Sequence, residues 1–353
     1  MHRRDALAAV GSAVLGGTAG CTRLLGTRTR RAPPLVEDRP AAVYVPTHVE
    51  GMSVVDVVER GGYRCALAYT YPHRFWLLKP DGRSRVDIAP DDSVHLMPVV
   101  WDAATGIVPP DVSPQLTVTR DRTSVTRLAP WPMLSQPMGF HFGDNVTLPG
   151  EGTYRVAVRI GSPSTRRTGA LAENRGDESF EFDFAFSKSA LEDIPYRDVP
   201  AERQGRKGAV DPMDVARLPS TQVPDSAALP GDVRGTGTSG DAEFVVTVVD
   251  DATRFGGSEA EVYLAVSPRT PYNRYMLPLM SLAGTLTRGG TTAFDGILQS
   301  TLDPDLGYHY GAAVSEVAAG DDLTVRIQAP PQAARHEGYE TAFVEMAEVQ
   351  FAL

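Results

Sequence analysis

Histidine and methionine side chains recur in this chain in a pattern that could bind a transition metal. His95 and Met97 lie two residues apart in an apolar run, so a strand would place both on one face. Met133, Met138 and His141 follow further along the chain. Imidazole and thioether groups form a borderline-to-soft donor set that suits copper, and iron becomes a candidate where carboxylates join. The nearby acidic residues that could add oxygen ligands are Asp144, Glu151, Glu173 and Glu178.

A second set of candidate ligands lies in the last third of the chain. It comprises Met276, Met280, His309, His336 and Glu337. Structural roles stay open for several of these residues. Met97 and Met280 suit an apolar core, and His309 stands between two tyrosines, as a partly buried structural histidine would.

An internal repeat contains one histidine of each set. Phe140-His141-Phe142-Gly143 and Tyr308-His309-Tyr310-Gly311 share an aromatic-His-aromatic-Gly pattern. Each copy continues through a predicted loop into an alternating strand that ends Val-Arg-Ile, and a proline follows. Self-similarity of this kind indicates repeated structural units. The sequence therefore predicts two related domains, each with a histidine beside a strand.

The elements that must position these residues are predicted to be strands. Short β-branched and aromatic runs alternate with turn signals, and long stretches with helical periodicity are missing from the sequence. This pattern predicts an all-β fold of two antiparallel β-sandwiches, at 43–186 and 241–353. Residues 187–240 are rich in Pro, Asp, Arg, Ser and Gly, so we predict an irregular linker there.

The N-terminus predicts export and lipid attachment. Arg3-Arg4 precedes a short apolar run, as in a twin-arginine (Tat) export signal. Thr18-Ala19-Gly20-Cys21 resembles a lipobox, in which Cys21 would be lipidated. We therefore expect a lipoprotein signal at 1–21 and a polar tether at 22–42, with the protein anchored at the extracytoplasmic face of the membrane. The alternative is an ordinary cleaved signal with an incidental cysteine.

Composition excludes several functional classes. The net charge of −10, with only three lysines, is typical of a salt-adapted protein and argues against nucleic-acid binding. With Cys21 lipidated, only Cys65 remains, so an intrachain disulfide and a cysteine-rich zinc site are excluded. Gly-x-Ser-x-Gly, His-Glu-x-x-His and P-loop motifs do not occur, and the G-x-G-x-x-G of 235–240 precedes a strand pattern rather than a helix. We therefore predict that the protein is not an enzyme.

Residues 93–187 resemble the periplasmic iron-transport-associated copper-binding lipoproteins, which partner high-affinity iron permeases. Val94-His95-Leu96-Met97 is similar to a His-Leu-Glu strand of that family, and Trp131-Pro132-Met133 to its Met-Pro-Met segment. The stretch from His141 to Val146 closely resembles its His-Tyr-Gly-x-Asn-Val loop. The family consists of Ig-like β-sandwich dimers, so the resemblance implies Ig-like domains here. Two diverged copies in one chain could imitate that dimer.

The resemblance implies His95, Met133 and His141 as metal ligands of the first domain. The chain also departs from the family pattern. Met97 stands where the family has Glu, and the family's last histidine falls on Arg166-Arg167 in the first domain.

In the second domain the family's last histidine is retained as His336, within Arg335-His336, whereas Tyr263 stands where the strand histidine would be. His309 and His336 are therefore the predicted ligands of that domain.

The sequence as a whole predicts a lipid-anchored protein that binds copper or iron and could assist an iron permease. We expect either a monomer with pseudo-dimeric domains or a homodimer. The competing interpretation is an interaction module without a metal, in which the histidines and methionines are structural.

Overall fold

The computed structural model describes residues 33–80, 82–173 and 176–353 of the 353-residue chain. Cys21 and the signal region lie outside the described residues, so export and lipid attachment stay predictions. Within the described part of the chain, no helix is long and apolar enough to cross a membrane.

The first half of the structure contains fourteen strands and one short helix, α1 (Lys188–Glu192). The strands are β1 (His48–Glu50), β2 (Ser53–Arg60), β3 (Tyr63–Thr70), β4 (Phe75–Lys79), β5 (Gly82–Val86), β6 (Val94–Asp102), β7 (Gln115–Arg120), β8 (Thr123–Leu128), β9 (Trp131–Ser135), β10 (Gly139–Val146), β11 (Gly152–Ile160), β12 (Arg166–Arg167), β13 (Glu178–Phe186) and β14 (Tyr196–Asp198).

Nine further strands form the second half. They are β15 (Asp232–Ser239), β16 (Ala242–Val249), β17 (Val262–Arg269), β18 (Ser281–Arg288), β19 (Thr291–Asp303), β20 (Gly307–Val314), β21 (Asp322–Ala329), β22 (Ala334–Arg335) and β23 (Val349–Ala352). Single turns of 3₁₀ helix lie at Gly169–Ala172, Ser226–Ala228 and Thr253–Phe255. The predicted all-β sandwich architecture is confirmed.

The first sandwich packs an eight-stranded sheet, in the order β2-β3-β6-β10-β9-β22-β4-β5, against a four-stranded sheet, β13-β11-β7-β8. Alternation along the strands explains this packing. In β13, Phe180, Phe182, Phe184 and Phe186 are buried, and acidic or small residues between them face solvent. Burying an aromatic side chain of this size contributes roughly 1.5–3 kcal/mol, so one face of this strand holds it in the core.

The second sandwich repeats the strand order of the first. The order β2-β3-β6-β10-β9 corresponds to β15-β16-β17-β20-β19, and β13-β11-β7-β8 corresponds to β23-β21-β18-β19. The long strand β19 serves both layers, because its first part pairs with β18 and its last part, 299–303, pairs with β20. A shared topology is what an internal duplication predicts.

The two sandwiches exchange short strands. After β11, the first sandwich extends β12, which pairs in parallel with β19 of the second. After β21, the second sandwich extends β22, which pairs in parallel with β9 of the first. Arg335 of β22 is completely buried and donates to the carbonyls of Pro331 and Ala333. Each half therefore places residues inside the sheet of the other.

The segment predicted as a linker, 187–240, has ordered structure in the described chain. It contains α1 and β14, and its last residues form β15 at the edge of the second sheet. This strand contains glycines and few apolar residues, so its sequence lacks the apolar alternation that predicts a strand. A Cβ on Gly237 would lie 2.5 Å from a side-chain atom of Val349, so the absent side chain leaves room for the core. The second strand in this segment, β14, was also not predicted. It pairs with β1, which borders the site described next.

Candidate metal centre

Three histidines from both sandwiches converge on one point. His95 lies on β6, His141 on β10, and His336 directly follows β22. One ring nitrogen from each lies within 4.8 Å of the others. His95 and His141 are 0% and 2% exposed. We call His95, His141, His336 and the adjacent Met133 the metal-centre group.

Strand register brings Met133 to the same place. Met133 on β9 stands directly opposite His141 on β10 and is completely buried. Its sulfur lies 3.3 Å from Nε2 of His336. The backbone N–H of His336 donates to the carbonyl of Leu134 at 2.9 Å, which fixes this histidine beside β9. The exchanged strand thus positions the third imidazole.

His95 is held by a specific hydrogen bond and by a glycine. Its Nδ1–H donates to Oδ1 of Asn145 at 2.9 Å, which directs Nε2 towards Gly143. A Cβ on Gly143 would lie only 2.3 Å from this Nε2, so the imidazole fits only because residue 143 lacks a side chain. Nε2 is buried and has no hydrogen-bond partner among the described residues. A buried nitrogen in this state is costly unless it binds something.

The environment keeps these imidazoles neutral. Burial lowers the pKa of His141 to about 4, and burial lowers the pKa values of His95 and His336 well below the usual histidine value. His141 Nδ1–H donates to the carbonyl of Gly139 at 3.1 Å, so its Nε2 keeps a free lone pair. Neutral imidazoles with their second nitrogen fixed by a hydrogen bond are typical metal ligands.

A second cluster of polar side chains adjoins the centre, and the sequence interpretation did not single it out. We call His48, Glu50 and His73 the outer cluster. His48 Nε2 lies 3.3 Å from Oε1 of Glu50, and His73 Nδ1 lies 3.0 Å from Oε2. The ring centroid of His73 is 4.7 Å from that of His95. The alternation of His48 and Glu50 on one strand was the available signal.

Five of the seven histidines therefore lie at a single cleft. Four of them line it, and the fifth, His95, lies directly behind His73. The outer cluster lines this cleft together with His141 and His336. Methionines are concentrated there as well, and those that line it are Met52, Met97, Met138 and Met213.

The carboxylates predicted near the centre do not join the converging group. Glu178 lies 3.4 Å from Arg60 in an ion pair, and Glu151 accepts from the backbone N–H of Lys188 at 2.7 Å. Asp144 accepts from the N–H of Asn145. Met97, at the family's Glu position, is buried along the cleft.

Register identifies the counterpart of the centre in the second sandwich. His309 stands opposite Thr301 as His141 stands opposite Met133, and Tyr263 takes the place of His95. Gly311 matches Gly143, since a Cβ there would lie 2.4 Å from the hydroxyl of Tyr263. The two sites therefore have equivalent backbone positions but different side chains.

In that counterpart site, the histidine and the threonine form hydrogen bonds with neighbouring residues. His309 Nε2 lies 3.1 Å from the hydroxyl of Tyr263, and its Nδ1–H donates to the carbonyl of Gly307 at 3.1 Å. Thr168 follows β12 as His336 follows β22, and its hydroxyl donates to Asp303. His309, predicted as a ligand, thus lies outside the converging group, and both of its ring nitrogens have partners. Burial lowers its pKa to about 4.

Comparisons with known families agree with the motif resemblance. Residues 100–186 match the family described as Fe2+ transport protein, and residues 227–352 match a domain of unknown function, DUF7350. The first match confirms the resemblance to iron-transport-associated proteins for this segment. It contains Met133 and His141, whereas His95 precedes it and His336 lies in the second matched segment.

Among solved structures, similar chains include two of FetP from uropathogenic Escherichia coli strain F11. A copper-bound variant of FetP is 19% identical over 38% of this chain and 97% of its own, with a TM-score of 0.29. FetP as isolated is 18% identical over 39% of this chain and 96% of its own, with a TM-score of 0.27. No curated protein matches the chain.

Proposed function

Because residues 100–186 match the Fe2+ transport protein family, we propose that this chain is an extracytoplasmic copper-binding protein of iron uptake. In this proposal Cys21 anchors the protein to the membrane through lipid, and the cleft faces an iron permease. Both sandwiches act together as one unit, and they hold the metal at the centre built from His95, Met133, His141 and His336.

One observation supports this function above the others. Three imidazoles, two of them buried and that of His336 half-buried, converge beside the thioether of Met133, and the Nε2 of His95 lacks a hydrogen-bond partner within the described chain. A merely structural histidine would have both nitrogens satisfied, as His309 has. The proposed role of these residues is to bind the ion, exclude water from it and fix its position against the eight-stranded sheet, where β6, β10, β9 and β22 are neighbours.

The donor chemistry favours copper over harder cations at this centre. Thioether sulfur selects soft ions such as Cu(I), and imidazole also suits copper. The neutral state of the three histidines supports binding at neutral pH, because no proton has to leave before an ion enters.

Metal content tests the proposal. We expect one copper per chain in the parent and a loss of affinity greater than 100-fold in His141→Ala, since removing a ligand costs more than the 10–100-fold of an outer-shell change. His309→Ala is the matched control, because it removes the equivalent buried histidine of the second sandwich. Copper retained in His141→Ala, or lost equally in both variants, would contradict the proposed centre.

A further inference from the structure

A second cavity adjoins the cleft at the metal centre. Its volume is about 280 Å³, and its walls include the turn between β9 and β10 and residues 212–222, from the segment that joins the two sandwiches. Pro212, Asp214 and Ser220 in its wall are exposed, so the second cavity is open to solvent. The residues that line both the second cavity and the cleft are Met52, Pro137, Met138 and Met213. The two spaces therefore meet at three methionines.

Three separate segments of the chain position these side chains. We call Met52, Met138 and Met213 the methionine trio. Met52 lies between β1 and β2, and Met138 lies in the turn between β9 and β10. Met213 is fixed beside this turn, because its backbone N–H donates to the carbonyl of Pro137 at 2.8 Å. The hydroxyl of Tyr275, from the second sandwich, donates to the same carbonyl at 3.1 Å. Tertiary packing therefore brings the trio together from distant parts of the sequence.

Core packing does not account for the methionine trio. All three residues are half-buried, and neither Met52 nor Met213 belongs to an apolar cluster of the described core. Met138 packs against the edge of the main cluster. Methionines that fill a core are represented by Met276 and Met280, which are buried inside that cluster. The side chains of the trio instead line a space open to solvent, where their sulfur atoms are available to a ligand.

The chemistry of the second cavity selects a soft, monovalent ion. Thioether sulfur is an uncharged soft donor that favours Cu(I) over harder cations. Within the described chain, no histidine lines the second cavity, and its carboxylate is that of the exposed Asp214. Met97 extends the series inwards, because it lines the cleft together with His141 but does not line the second cavity. An ion that enters by this cavity therefore meets sulfur ligands before it meets the imidazoles of the centre.

We infer that the methionine trio is a Cu(I)-binding site through which copper reaches the metal-centre group. The inference rests on the proposed function, because the centre is the destination of the ion. Transfer is an exchange of ligands without electron transfer: bonds from Cu(I) to thioether sulfur break as bonds to the sulfur and ring nitrogens of the centre form. Met52 and Met213 lie outside both segments that match family models, so the trio depends on parts of the chain that neither family covers.

Anaerobic titration of the full chain with Cu(I) tests the trio. The probe is Cu(I), kept reduced by ascorbate and delivered from a coloured Cu(I) chelator. The parent should bind one ion tightly at the centre and a second, exchangeable ion at the trio, which is lost on purification. Combining Met52→Leu, Met138→Leu and Met213→Leu should weaken the second binding by about tenfold or more, since losing ligands exceeds an outer-shell change. Loading of the centre should slow to a similar extent, whereas its affinity should stay unchanged. Leucine keeps the volume and apolar character of methionine but lacks the sulfur.

The matched control replaces three methionines from the second half of the chain, Met276→Leu, Met280→Leu and Met346→Leu, and should change neither measurement. His141→Ala should lose the tightly bound ion and retain the exchangeable one, so failure of the proposed centre is recognised separately. Circular dichroism checks that each variant folds, and Met213→Leu alone replaces the trio variant if the latter does not. The inference is overturned if the parent binds only one Cu(I). It is equally overturned if the folded variant matches the parent in either the second binding or the loading rate.

Discussion

His336→Gln is expected to weaken copper binding by at least two orders of magnitude, although residue 336 belongs to the second half of the chain. His336 is one of three imidazoles that converge, and its Nε2 lies 3.3 Å from the sulfur of Met133. Glutamine is close in size but lacks an imidazole nitrogen, so the loss reports ligation more than packing. A titration against a copper chelator of known affinity measures the change.

Thr168→Val is the control for this prediction, because Thr168 holds the equivalent position after β12. That substitution removes a buried hydrogen bond to Asp303 and should cost roughly 1 kcal/mol or more of unfolding free energy. It should leave the copper affinity within a few-fold of the parent. An unchanged affinity in His336→Gln would mean that the second sandwich contributes no ligand.

Gly143→Ala should weaken copper binding strongly by displacing His95. The new Cβ would lie 2.3 Å from the Nε2 of His95, so the ring must turn away or the strands must separate. Overpacking of this kind typically costs about 1–3 kcal/mol of stability. We expect copper affinity to fall at least 100-fold, because one ligand no longer reaches the centre.

Gly311→Ala provides a control that separates stability from binding. Its Cβ would meet the hydroxyl of Tyr263 at 2.4 Å, so a similar destabilisation is expected in the second sandwich. Copper affinity should nevertheless be retained. Thermal unfolding and copper titration of both variants give the comparison. Equal loss of copper in the two variants would attribute the effect to general destabilisation.

The sequence predicted the repeat and the β-sandwich class because both depend on local patterns. Alternation of apolar residues specifies strands, and the aromatic-His-aromatic-Gly motif recurs in the matching strands β10 and β20. The sequence analysis predicted a loop after this motif and compared the stretch from His141 to Val146 with a loop, whereas β10 continues through Val146. Aspartate and asparagine in that stretch lowered its apparent strand character.

The origin of the third converging imidazole was harder to predict. The motif repeat indicated His309 as the counterpart of His141. Sequence similarity does not reveal that the hydroxyl of Tyr263 forms a hydrogen bond with Nε2 of His309. His336 reaches the centre because a two-residue strand, β22, crosses to the first sandwich. Pairing between distant segments of this length leaves no periodic signal in a sequence.

The outer cluster was missed for a related reason. His48 and Glu50 lie on β1, which is three residues long and pairs with β14 from the segment predicted as a linker. His73 comes from the connection between β3 and β4. Spacing relates His48 to Glu50, but only the packing of these separate segments brings His73 to them, so the sequence alone did not indicate the cluster.

Diffraction at the copper absorption edge from copper-loaded crystals tests the central claim most directly. We predict one strong anomalous peak among the ring nitrogens of His95, His141 and His336 and the sulfur of Met133. A centre of this kind would join both halves of the chain at a single ion. A peak beside His309, or no ordered peak at full copper loading, would contradict it.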